Sequence, residues 1–166
     1  MSRFRNLFVG ATAALTLATL PADAASRYFQ DATGKWRGSG SIVAGKYKGT
    51  RFNCTLHGAP ETGRDLTIAG SCRVGLFTQK VSARIVQHGR SFRGTFLDGA
   101  QGKGLDIRSG RLDRRKLTVD IHSKGLKGAI VANLVKRNKM RVTVSVRVSS
   151  GQLVPVVALD LDKTGR

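Results

Sequence analysis

The sequence predicts an all-β protein: an antiparallel up-and-down barrel of about ten strands, regular or flattened, with a β-sandwich as the alternative. Three observations carry this. In Lys139 to Val148, KMRVTVSVRV, Met140, Val142, Val144, Val146 and Val148 alternate with Arg141, Thr143, Ser145 and Arg147. A period of two with β-branched residues on the apolar side marks a strand buried on one face and wet on the other. The same pattern recurs in short runs with turn signals roughly every 8–14 residues, and the mature chain shows no helical period. Finally, Cys54 and Cys72 lie on the apolar faces of consecutive strands. Strands with one apolar face each, and no helix to cover them, must close on themselves or stack in two layers. Closure buries every apolar face and removes the edges.

In chain order, a short polar lead (Ser26 to Thr33) precedes a strand with Trp36, Gly38, Gly40 and Ile42 on one face. A turn at Gly45 to Gly49 leads to Arg51–His57, whose apolar face is Phe52, Cys54 and Leu56. After a loop over Gly58 to Arg64, the strand Leu66–Val74 sets Leu66, Ile68, Gly70, Cys72 and Val74 together. Antiparallel pairing brings Cys54 beside Cys72, and their disulfide locks the hairpin register. Val81, Ala83 and Ile85 follow, then a turn at His88 to Arg90, then Phe92, Gly94 and Phe96. Beyond a glycine-rich loop, Asp98 to Gly104, come a short strand with Leu105 and Ile107 that ends at Ser109-Gly110, then Leu117, Val119 and Ile121, then Gly128, Ile130, Ala132 and Leu134. A tight turn, Lys136 to Lys139, precedes KMRVTVSVRV, and the last strand groups Leu153, Pro155, Val157, Leu159 and Leu161. Pro155 lacks an N–H, which suits an edge or a closing seam.

The N-terminus reads as an export signal over residues 1–24, ahead of a single domain over 25–166. Arg3 and Arg5 precede the apolar run Leu7–Leu20, and Ala22-Asp23-Ala24 offers small residues for cleavage before Ala25. Pro21 and Asp23 end the run before it reaches membrane-spanning length. The expected location is the periplasm, an oxidising compartment that favours a structural disulfide over a metal or redox pair. The chain has 29 lysines and arginines against 10 acidic residues; without Arg3, Arg5 and Asp23 the balance is 27 against 9, a net charge of +18. Such a field attracts anions.

No catalytic constellation is present, and neither cofactor nor metal is expected. His57, His88 and His122 stand apart from cysteine or carboxylate pairs, no serine sits in a nucleophile elbow, and Gly102-Lys103-Gly104 is too short for a phosphate loop. The basic turns are the candidate site. An up-and-down order places Arg64, Arg90, Arg111, Arg114, Arg115, Lys116, Lys136, Arg137 and Lys139 at one end, against Glu61, Asp65 and Asp113. The other end holds Lys46, Lys48, Lys103, Lys124 and Lys127. Arginine-rich rims suit phosphates and carboxylates.

The opening strand, Gly34-Lys35-Trp36 with Gly38 and Gly40, resembles that of lipocalin and avidin-type barrels. The wider layout (export signal, W-x-G-x-G opening, cysteines on strands two and three, glycine-rich hairpins) is similar to an uncharacterised family of small exported all-β proteins from alphaproteobacteria. That resemblance implies fold and location, not activity. The expected function is a non-catalytic periplasmic binding protein that holds an anionic amphiphile, a lipid or lipopolysaccharide-like molecule with its head group at the basic rim. The alternative is an envelope module whose outer face binds polyanions such as acidic cell-wall polymers, with peripheral membrane contact. Nucleic acid is not expected, since no aromatic–basic run offers a stacking surface.

Overall fold

In chain order the elements are α1 (Ala22–Ala32), β1 (Gly34–Ile42), β2 (Arg51–Ala59), β3 (Asp65–Val74), β4 (Phe77–His88), β5 (Ser91–Phe96), β6 (Leu105–Asp113), β7 (Lys116–Ser123), β8 (Leu126–Lys136), β9 (Lys139–Arg147) and β10 (Leu153–Gly165). The computed structural model describes residues 22–97 and 104–165. Most of the export signal, and residues 98–103 of the glycine-rich loop, lie outside them. Every strand pairs antiparallel with its sequence neighbours, and β1 pairs with both β2 and β10, which closes the barrel and excludes the sandwich. Links of two residues join β3 to β4, β4 to β5, β6 to β7, β7 to β8 and β8 to β9. Links this short leave only nearest-neighbour pairing.

The alternation sorts the faces as expected. Trp36, Cys54, Leu66, Phe92, Ile107, Leu117, Ile121, Leu134, Leu159 and Leu161 are buried in one core. Cys54 lies directly opposite Cys72 in the β2–β3 ladder, and the two form a disulfide with Cα atoms 4.0 Å apart. Charged residues occupy the outward positions, including Arg37, Arg51, Arg73, Arg84 and Arg141. A barrel with apolar residues inside and charge outside is the reverse of one that spans a membrane.

Two expectations about local structure are corrected. The last strand does not keep one face. A register shift between Pro155 and Val157 leaves Leu153 and Pro155 exposed, opposite Arg147 and Ser145, and puts Val154 opposite Val146. Pro155 lies beyond the β1 pairing, which ends at Ile42↔Val157, so its missing N–H leaves no ladder bond unmade. Likewise β6 does not end near Ser109 but continues through a register shift between Ile107 and Ser109 to Asp113. Arg111 therefore lies within a strand.

The larger correction is at the start of the chain. The segment read as a polar lead is helix α1, and Ala25, Tyr28, Phe29 and Ala32 on its inner face are buried. Their spacing of i, i+3, i+4, i+7 is one face of a helix. Gly34, with φ of 108°, turns the chain from the helix into β1.

We expect Gly58→Ala to lower stability by about 2 kcal/mol, because an added Cβ would overlap the Ala32 carbonyl oxygen where α1 meets the β2 backbone. Replacing both cysteines by serine should remove about 3 kcal/mol, the loop-closure effect for a separation of 18 residues. Urea unfolding of the oxidised chain and each variant reads both values.

Candidate functional site

Helix α1 closes one end of the barrel. Phe29 is 1% exposed and meets Phe92 edge-on at a centroid distance of 6.1 Å. The Tyr28 hydroxyl donates to the Ala132 carbonyl of β8 at 2.9 Å, and burial pushes its pKa well above the usual tyrosine range. The last helical carbonyls all find donors. Phe29 O accepts from the Thr33 hydroxyl (2.9 Å), Gln30 O from the Thr33 amide (3.2 Å), Asp31 O from Lys163 Nζ (2.8 Å) and Ala32 O from Trp36 Nε1 (2.9 Å). Lys163 also lies over the Trp36 ring at 5.0 Å from its centroid.

This is the end that carries the nine candidate bases, brought there by the turns at 60–64, 89–90, 114–115 and 137–138. Arg64, Arg90, Arg111, Arg114, Lys116, Lys136 and Arg137 are exposed, with no side-chain ion pair or hydrogen bond among the described residues. Arg115 and Lys139 are placed differently, and Arg114 has an unusual backbone. Arg115 donates from Nε to Leu134 O at 3.0 Å and lies 3.5 Å from the Asp31 carboxylate of the helix. Arg114 adopts a left-handed φ of 53° in its turn. Lys139 pairs with Asp162 at 2.7 Å. Arg27, Tyr28, Asp31, Arg114 and Arg115 border a cleft of about 250 Å³ between the helix and the β6–β7 turn. The nine bases therefore surround the barrel end that α1 fills, and acidic residues share that end. Glu61 binds Arg84 at 3.0 Å, and Asp65, buried under the 60–64 loop, lies 3.7 Å from the same arginine.

Among the described residues the opposite end has no helix. Burial of the inner face falls toward it in β3, β9 and β10, while β2 and β7 stay buried along their length. In β3 it runs from buried Leu66 to partly exposed Cys72 and Val74; in β9 it runs from buried Met140 to partly exposed Val142, Val144 and Val146. In β10, Leu161 and Leu159 are buried and Val157 is partly exposed. Ile42, Val81, Phe96 and Leu105 belong to the same partly exposed lining. Among the described residues the inner face carries no charged side chain between the two ends; Gln79, Gln87 and Ser123 are its polar members. The inner face is thus apolar and, in β3, β9 and β10, partly exposed toward this end. No group of three or more histidine, cysteine or acidic side chains able to hold a metal ion occurs among the described residues. His57, His88 and His122 lie apart on the outer surface.

Sequence reasoning named the bases Lys46, Lys48, Lys124 and Lys127 of this open mouth but missed its exposed apolar tips, Tyr47, Leu76 and Phe77. The signal was present in the Gly75-Leu76 turn, where a large apolar residue replaces the usual polar one.

No protein-family model matches the chain, nor does any curated protein match it in sequence. The resemblance to an alphaproteobacterial family thus has no counterpart in those comparisons. Its barrel is shared with solved structures. The crystal structure of Rv2717c from M. tuberculosis superposes with a TM-score of 0.61 at 11% identity, covering 87% of this chain and 98% of that one. The S-type phycobiliprotein lyase CPES from Guillardia theta gives 0.57 at 9%, with 86% and 93% covered. A variant of the fluorescent protein UnaG gives 0.53 at 16%, with 82% and 99% covered. At these identities the likeness is one of fold.

Asp65 ties the 60–64 loop to the helix end. The Thr62 backbone N–H is the main cause that holds its carboxyl below the usual range, aided by the Thr62 hydroxyl, the Glu61 N–H and the Arg84 charge, and opposed by burial. A carboxyl depressed in the folded state stabilises above its unfolded pKa of about 4 and loses that contribution as pH falls through the folded value. Asp65→Asn should therefore be less stable than the native chain at pH 7, and the gap should narrow below about pH 4. Urea midpoints across that range check it.

Proposed function

We propose that this chain is a non-catalytic binding barrel for an anionic amphiphile, with the apolar tail inside and the head group at the open mouth. The observation that carries the reading is the graded inner face, closed by α1 at one end and partly exposed toward the other. Ten strands enclose a wider interior than the eight whose side chains just fill a barrel. The lining toward the mouth is apolar, and Ile42, Val81, Phe96, Leu105, Val144 and Val157 are its partly exposed members. Lys46, Lys48, Lys124 and Lys127 stand at the mouth and suit a carboxylate or phosphate head group. The head group thus moves from the nine-base rim to the other end, since α1 stands between that rim and the interior. Export to an oxidising compartment belongs to the same proposal, and the Cys54–Cys72 disulfide is in keeping with it. So does cleavage before Ala25, which would keep every buried residue of α1.

The envelope module remains as a second reading on one observation, the seven exposed bases of the rim that lack partners among the described residues. Such a surface would bind polyanions without an internal ligand.

The test is binding of 11-(dansylamino)undecanoic acid to the mature, oxidised chain, with a native mass spectrum of the protein as expressed in the periplasm. We expect saturable 1:1 binding with enhanced fluorescence. Val144→Phe, which fills the partly exposed lining, should weaken it at least about tenfold while urea unfolding shows a folded barrel. No binding of the probe, together with a clean apo mass, would sink the carrier and leave the surface module.

A further inference from the structure

Six large hydrophobic residues are strongly exposed among the described residues, and five of them lie at the mouth: Tyr47, Leu76, Phe77, Val148 and Leu153. They come from three separate hairpins, β1–β2, β3–β4 and β9–β10. Leu76 is 99% exposed at the tip of a two-residue turn, Phe77 beside it is 81% exposed, and Tyr47 is 63% exposed. Nothing inside the fold requires a leucine and a phenylalanine there, since a polar residue would serve such a turn. Scattered apolar side chains on a surface need no explanation, but a set gathered on loop tips around one opening is the usual mark of an interaction site.

Charge identifies the partner. Lys46, Lys48, Arg73, Lys124, Lys127 and Arg147 are exposed around the same mouth, and segments 42–51, 73–80, 123–127 and 147–153 contain no acidic residue. The link between β5 and β6 carries Asp98, outside the described residues, and Asp106 of β6 is exposed 4.0 Å from Arg108. At the helix end, by contrast, Asp31, Glu61, Asp65 and Asp162 pair with arginines and a lysine. Apolar tips in a ring of unneutralised bases fit the interface of an anionic bilayer, where the tips enter the head-group region and the bases meet lipid phosphates. No helix among the described residues is long and apolar enough to cross a membrane, and the charged outer face of the strands keeps the barrel wall in water.

We propose that the mouth docks on an anionic membrane surface, with Tyr47, Leu76 and Phe77 inserted and the barrel opening toward the lipid. The proposal rests on the carrier reading for its purpose, loading the interior from the bilayer, but its surface is argued from residues outside the lining.

The experiment is co-sedimentation of the mature, oxidised chain with phosphatidylcholine vesicles, with and without about 30% phosphatidylglycerol. We expect binding to the anionic vesicles and at least about tenfold weaker partition to the neutral ones. The double variant L76S/F77S should lose at least about tenfold in partition. K46Q/K48Q should lose about tenfold on anionic vesicles only, and added salt should reproduce that loss. These side chains are exposed, so circular dichroism should show the native barrel in both variants. A wild-type chain that stays in the supernatant overturns the proposal. So does L76S/F77S binding as well as wild type, or loss of binding on Arg114→Gln with Arg137→Gln at the helix end instead. A dimer in sedimentation velocity that L76S/F77S abolishes, without vesicle binding by wild type, would assign the face to a second copy. Dansyl-undecanoate binding in vesicle-free buffer is read separately: if it persists while vesicle binding fails, docking alone falls, and if it fails while vesicle binding persists, the carrier alone falls.

Discussion

The docking of α1 sets the rest of the structure. A barrel of ten strands with a largely aliphatic inner face has two openings, and water entering both would leave most of that face wet. An eleven-residue helix is marginal alone, so α1 exists because the barrel holds it. The four carbonyls that a helix C-terminus leaves unbonded are taken up by Thr33 (twice), Lys163 and Trp36. Two of these donors come from β1 and β10, the strands that close the barrel. Gly58 completes the fit by letting the Ala32 carbonyl approach the β2 backbone. Closure of the sheet and closure of its end are therefore one event, held by the same residues.

That arrangement explains why burial is graded. Near α1 the large side chains Trp36, Phe29, Phe92, Leu117 and Leu134 interlock and exclude water. Toward the other end Ile42, Val81, Phe96, Leu105, Val144 and Val157 are partly exposed, while Phe52 and Ile121 stay buried. The disulfide lies in this looser half, tying β2 to β3 where packing contributes less. A covalent tie is most useful where an opening would otherwise loosen the hairpins around it.

Most of the barrel was legible because a period of two survives any amount of tertiary context. The pairing of Cys54 with Cys72, the ten strands and their faces all follow from alternation and short links. Three things did not follow. The helix was hidden by two alanines on its apolar face and by its position across the expected cleavage site, although Ala25, Tyr28, Phe29 and Ala32 carry the helical spacing. The face reversal at Pro155 depends on a bulge, which costs one residue and leaves no mark in hydrophobicity. The candidate site was half legible. The sequence located the bases by end, but only the helix distinguishes a filled end from an open one.

On the proposed reading, unpaired charge beside apolar lining, and not the count of bases, decides where an anionic head group binds. The helix end has more of them, yet Arg115, Lys139 and Arg84 have acidic partners there. The mouth has fewer, with none neutralised in its described loops. At physiological ionic strength a charge is felt over about 8 Å, so an approaching head group responds to its immediate neighbours and not to the net +18. At the helix end Phe29 and Tyr28 stand between the unpaired bases and the interior. At the mouth Lys46, Lys48, Lys124 and Lys127 stand beside partly exposed apolar lining. On the proposed carrier reading that juxtaposition of charge and apolar lining is what an amphiphile requires.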